Sequence, residues 1–138
     1  MAKSIRDVMT SNPSSVSSNQ TVADAARLMK QEDVGITPVV DGDRLVGTVT
    51  DRDIVVRVVA EGKDPQSVTV RDVASTDLVT VDPQQDLSEA LRLMAQHQVR
   101  RLPVVEEDGR LVGVVAQADV ARQADEAQTG RMVEDISK

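Results

Sequence analysis

The residues of this chain best suited to chemistry lie in one string, Gly47-Thr48-Val49-Thr50-Asp51-Arg52-Asp53. Thr50 followed three positions later by Asp53 has the spacing of a helix N-cap and its N3 partner. The hydroxyl accepts from the N3 N–H, the carboxylate accepts from the N-cap N–H, and the pair contributes on the order of 1 kcal/mol. The same geometry has a second use. A helix N-terminus turns free N–H groups and the positive end of its dipole toward an anion, and a threonine hydroxyl adds a donor. The string therefore fits a structural cap, an anion site, or both. Arg52 fits a first-turn residue paired to Asp51 and Asp53 better than a phosphate clamp. Other reactive groups are scarce. With no Cys there is no disulfide, thiolate nucleophile or Cys-ligated zinc, and the one histidine, His97, has no nucleophile or ligand cluster around it. A capping or surface role suits His97 better than catalysis, and carboxylates at helix caps without a positioned partner argue against an enzyme.

The string recurs as Gly113-Val114-Val115-Ala116-Gln117-Ala118-Asp119, because the chain is written twice. A shift of 65 positions carries Arg6-Asp7-Val8 onto Arg71-Asp72-Val73, and Ala25, Arg27, Leu28 and Met29 onto Ala90, Arg92, Leu93 and Met94. Val34, Pro38, Val39 and Val40 then meet Val99, Pro103, Val104 and Val105; one inserted residue later, Leu45, Val46 and Gly47 meet Leu111, Val112 and Gly113. The copies differ where the chemistry lies. Ala116 stands where Thr50 does, so repeat two loses the hydroxyl, and with it the cap and the donor, but keeps Asp119. Only repeat two has a basic pair, Arg100 and Arg101, where repeat one has Gly35 and Ile36. That pair reads either as a phosphate contact or as solvated charge facing Glu106 or Glu107. Two units are too few for an open solenoid and must close on each other, and a seam of that kind commonly generates ligand clefts.

The elements that position these residues read alike in both copies: short helix, strand, helix, strand, turn, strand, helix. Thr21 with Asp24, and Asp86 with Glu89, are capping-box pairs that open the long helices. Val22, Ala25, Ala26 and Met29, and then Leu87, Ala90, Leu91 and Met94, keep helical spacing. ITPVV and RLPVV read as strands, each with a proline near its start, and DGDRLVGTVT and EEDGRLVGVVA complete two hairpins. DIVVRVVAEG is rich in β-branched residues, yet its repeat mate ADVARQADEAQ is plainly helical, so residues 51–61 are expected to be a helix ending at Gly62. Its valines cover more of the circumference than one core face requires, which fits either burial within the monomer or a dimer interface. Residues 62–68 are the inter-repeat linker, giving expected divisions at 1–66 and 67–138; the tail from Gly130 to Lys138 keeps Met132, Val133 and Ile136 at helical spacing.

Composition narrows the function classes. The 138 residues suit one compact domain whose core must be aliphatic, since Phe, Trp and Tyr are absent. The missing aromatics deprive single-stranded nucleic acid of a stacking platform, and a net charge of −7 repels phosphate backbones. No signal-peptide core and no apolar run of membrane-spanning length is present, which points to a cytoplasmic protein with neither nucleic-acid nor membrane partners.

The β-α-β-β-α unit with a preceding short helix, the strands closing in a Pro-Val pair, and the GTVTDRD string resemble the CBS domain, here in tandem as a Bateman module over residues 4 to 127. The chain looks most like the small stand-alone bacterial pairs of the hypoxic response type. The resemblance implies an α/β fold of two pseudo-symmetric repeats packed through their sheets. It also implies regulatory, non-catalytic binding of AMP, ADP, ATP or S-adenosylmethionine in clefts between repeats, no required cofactor, and a homodimer; a ligand-free dimeric scaffold is the alternative. By the same resemblance Thr50 contacts phosphate, Asp53 accepts from ribose hydroxyls, Arg100 and Arg101 reach phosphates, and Val16, Ile36 and Pro38 wall the adenine. Asp119 could hold a ribose at a weaker second site. One nucleotide per chain, at Thr50 and Asp53, is the resulting expectation.

Overall fold

A computed structural model describes residues 3–123, and the tail from Gly130 to Lys138, whose spacing fits either a short docked helix or a frayed end, lies outside them. In chain order the elements are α1 Ile5–Val8, β1 Thr10–Ser11, β2 Val16–Ser17, α2 Val22–Glu32, β3 Ile36–Asp41, β4 Arg44–Thr50, α3 Asp51–Ile54, α4 Val70–Val73, α5 Leu87–His97, β5 Arg101–Val105 and β6 Leu111–Ala116. A further helix, α6, occupies residues 117–123. The α3 helix runs on through a π turn, Val55–Val59. The expected helix therefore forms, widened where four β-branched residues crowd within five positions. It closes as a Schellman motif: Gly62 adopts φ +70°, Lys63 N–H donates to the Val58 carbonyl at 2.9 Å, and Gly62 N–H donates to that of Val59 at 3.1 Å.

The chain forms two compact units. One, called here the Thr50 unit, holds residues 13–78 and 107–111; the other, the Asp119 unit, holds residues 3–12, 79–106 and 112–123 among those described. In the Thr50 unit β3 is central, parallel to β2 and antiparallel to β4. Helix α2 is opened by the expected reciprocal cap of Thr21 and Asp24 and buries Val22, Ala25 and Met29. These residues join Val39, Val49, Ile54, Val58, Val70 and Val73 in one aliphatic core. In the Asp119 unit the sheet order is β1-β6-β5, with β6 central and antiparallel to β1. Its core unites Ile5, Val81, Ala90, Met94, Leu102, Val104, Val115 and Val120.

The units and the sequence repeats, 1–66 and 67–138, are different divisions of the chain. The opening segment of each repeat is built into the unit of the other. Helix α1 and strand β1 belong to the Asp119 unit, where Thr10 pairs with Val114. Helix α4 belongs to the Thr50 unit, where Ser75 and Thr48 exchange backbone hydrogen bonds of 2.8 and 3.0 Å. Equivalent polar contacts fasten both segments. Arg6 reaches Glu106 at 3.5 Å, whereas Arg71 donates to the buried Ser18 hydroxyl at 3.1 Å and Ser18 in turn donates to Asp41.

One expected cap does not form. Asp86 stands at the N-cap of α5 but makes no side-chain cap bond. Glu89 is instead engaged by Arg92 through both carboxylate oxygens, at 2.5 and 3.1 Å. A bidentate, charge-assisted pair one turn away outcompetes a single bond to the N-cap amide.

Candidate functional site

Strand β4 delivers Thr50 to the head of α3, and β3 lies antiparallel beside it, with Ile36 opposite Thr50 and Pro38 opposite Thr48. Thr50 keeps extended geometry, and the reciprocal cap is complete: Asp53 N–H donates to Thr50 Oγ1 and Thr50 N–H donates to Asp53 Oδ2, each at 3.0 Å. This arrangement uses the threonine oxygen only as an acceptor and one of the two carboxylate oxygens. Among the described residues the Thr50 O–H and Asp53 Oδ1 have no further hydrogen-bond partner, and both side chains are half-buried. The structural and ligand readings of this pair are therefore compatible, since the cap fixes both rotamers and leaves one donor and one acceptor.

Of the expected wall residues, Ile36 is half-buried and Val16 and Pro38 are buried. Val16 pairs with Val39 and belongs to the aliphatic core, so of the three expected wall residues only Ile36 has substantial exposed surface. Arg52, expected to pair with Asp51 or Asp53, is exposed and forms no ion pair among the described residues; Asp51 Oδ1 accepts instead from its backbone N–H at 2.8 Å. The local turn satisfies the carboxylate without immobilising a long side chain.

The remaining expected residues lie in the Asp119 unit. Arg100 sits at the head of β5, where its carbonyl accepts from Gln117 N–H at 2.7 Å, and Asp119 lies in α6 paired to Arg122 at 3.4 Å. Arg100 is exposed, Arg101 is half-buried, and neither makes an ion pair among the described residues. Glu106, one of the two acids that the solvated-charge alternative names, pairs with Arg6 at 3.5 Å. The structure thus groups Thr50, Asp53, Ile36, Pro38 and Val16 in one unit and Arg100, Arg101 and Asp119 in the other. His97 is exposed in the last turn of α5. Among the described residues no group of three or more His, Asp or Glu could hold a metal, and no helix is long and apolar enough to cross a membrane.

Two units, each a three-stranded sheet under helices with a helix head at the end of its last strand, define a tandem pair. The CBS domain family model matches residues 5–60 and 70–126, and the chain belongs to the CBS domain family. It is 47% identical to the CBS domain-containing protein YhcV of Bacillus subtilis over 135 residues, covering 97% of this chain and 95% of that one. It is 42% identical to hypoxic response protein 1 of Mycobacterium tuberculosis over 122 residues, covering 88% and 85%. The crystal structure of hypoxic response protein I, which has two coordinated zinc ions, superposes with a TM-score of 0.79 at 41% identity, covering 87% of this chain and 98% of that one. The structure of CBSX2 in complex with AMP superposes with a TM-score of 0.78 at 29% identity, covering 91% and 98%.

Proposed function

We propose that this protein is a regulatory, non-catalytic module that binds one adenosine-containing ligand per chain, through Thr50 and Asp53. AMP, ADP, ATP and S-adenosylmethionine are the ligand class. The observation that carries the reading is the complete Thr50–Asp53 cap with a hydroxyl proton and a carboxylate oxygen to spare beside Ile36. A relative at 29% identity forms a complex with AMP, which supports the class. In the Asp119 unit Ala116 supplies no hydroxyl and Asp119 is held by Arg122, so that locus is the weaker one. Arg100 and Arg101 are the groups through which phosphate would be recognised there.

The module acts as a cytoplasmic homodimer. Val55, Val56 and Val59 on the π turn are 56%, 49% and 63% exposed, an apolar surface that a second copy would cover. The same surface supports the alternative of a ligand-free scaffold. A thermal-shift panel of adenine and guanine nucleotides and S-adenosylmethionine separates the two, because a ligand at 100 times its dissociation constant stabilises the fold by about 2.7 kcal/mol. Calorimetric titration then assigns the site: Thr50→Ala and Asp53→Ala weaken binding, and Asp119→Ala leaves it nearly unchanged. Two equal sites, or loss only with Asp119→Ala, refutes the assignment, and no stabilisation by any adenosine compound favours the scaffold.

A further inference from the structure

The two units provide an internal comparison at one junction. Asp51 N–H donates to the Gly35 carbonyl at 2.9 Å, and Gln117 N–H donates to the Arg100 carbonyl at 2.7 Å, so residues 35 and 100 occupy equivalent places beside the helix heads. The chemistry at those places is opposite. A Cβ built on Gly35 would stand 3.0 Å from Asp51 Oδ2, so the Asp51 carboxylate fills the space into which a side chain at that position would leave the strand. In the Asp119 unit an arginine leaves the strand there and a neutral glutamine heads the helix. The Asp51 carboxylate is oriented, since its Oδ1 accepts from Arg52 N–H, and the Arg52 guanidinium pairs with neither neighbouring acid. The helix head in the Thr50 unit therefore carries two carboxylates, Asp51 and Asp53, against one exposed arginine. The other junction has Arg100 and Arg101 with Asp119 as its acid, and Arg122, one turn further along α6, pairs with that acid.

We infer that Asp51, given room by Gly35, makes the Thr50–Asp53 locus selective for adenosine ligands whose 5′ substituent is neutral or cationic, such as a thioether or sulfonium nucleoside, over nucleoside polyphosphates. This rests on the adenosine-binding reading above and specifies the ligand class. Carboxylates accept well from ribose hydroxyls, which every member of the class shares. They oppose phosphate oxygens placed at the same helix head, and the opposition grows with phosphate charge and weakens with salt.

The experiment titrates the full chain, without divalent metal, with adenosine, 5′-methylthioadenosine, S-adenosylmethionine, AMP and ATP at low and at physiological ionic strength. S-adenosylmethionine or 5′-methylthioadenosine is expected to bind about tenfold tighter than ATP at low salt, with the ratio shrinking as salt rises. Asp51→Asn keeps the side-chain shape and is expected to tighten ATP several-fold while leaving adenosine within about twofold. The melting temperature of the variant shows whether it stays folded, and Arg52→Gln, which should weaken ATP further, tests the same balance without touching Asp51. ATP binding as tightly as the thioether and sulfonium ligands, or a phosphate preference lost in Arg100→Ala, overturns the inference and leaves the adenosine reading intact. Binding of none of the five overturns both.

Discussion

Thr37 offers a direct test of how tightly the Thr50 unit is built. It lies on β3 between Ile36 and Pro38, opposite Val49, and is 1% exposed, with a hydroxyl that has no hydrogen-bond partner among the described residues. Its repeat mate, Leu102, is equally buried and apolar. An unsatisfied buried hydroxyl costs about 1–3 kcal/mol, and valine keeps the β-branched shape while replacing the hydroxyl by a methyl whose burial contributes about 0.8 kcal/mol. Tight packing against a slightly larger group takes back part of this gain. Thr37→Val should therefore stabilise the protein by about 1–2 kcal/mol and raise the melting temperature by about 3–8 °C for a chain of this length. Urea unfolding should report it as a higher midpoint at unchanged slope. Thr37→Ser, which keeps the hydroxyl and deletes the methyl, should destabilise by about 1 kcal/mol. The reasoning fails if Thr37→Val is neutral or destabilising, since the hydroxyl would then have a partner worth keeping.

Other consequences follow from the same contacts. Thr50→Ala should cost about 1 kcal/mol of stability through the lost cap even without ligand, measured by urea unfolding. Arg71→Ala should destabilise by about 1 kcal/mol because it removes a charged donor from buried Ser18, and Arg6→Ala by less, because its 3.5 Å pair with Glu106 is largely exposed; the two midpoints compared side by side test the order. Asp24 is held below its ordinary carboxylate pKa of 3.8, first by the Thr21 backbone N–H and then by Arg27. Its folded-state value is depressed, so its contribution is present above pH 3.8 and is lost as pH falls through the lower folded value; Asp24→Asn should flatten the acid limb of stability against pH. Residues 67–138 expressed alone should fail to unfold cooperatively, because Ile5, wholly buried in the core of the Asp119 unit, comes from the other repeat.

What the sequence determined by itself is whatever acts within a helical turn or repeats at fixed spacing. The Thr50–Asp53 and Thr21–Asp24 caps and the helices they open depend on neighbours three or four residues away, and the hairpin of β3 and β4 on apolar runs either side of one short turn. The repeat itself made family and fold legible, because 65-residue self-similarity constrains both copies to one plan. Local pattern failed where a competitor of equal reach was present: Asp86 and Glu89 have capping-box spacing, but Arg92 takes the glutamate. The spacing of Val55, Val56 and Val59 could not say whether they were buried, since burial depends on what packs against the helix. Only the tertiary structure left those three exposed while placing Val58 in the core. It alone decided that α1 and α4 exchange units, because an apolar stripe records the need for a partner surface and not which copy supplies it. It also set the carboxylate of Asp51 against the bare face of Gly35, sixteen positions away in sequence, where no local rule connects a glycine to the charge of a ligand site.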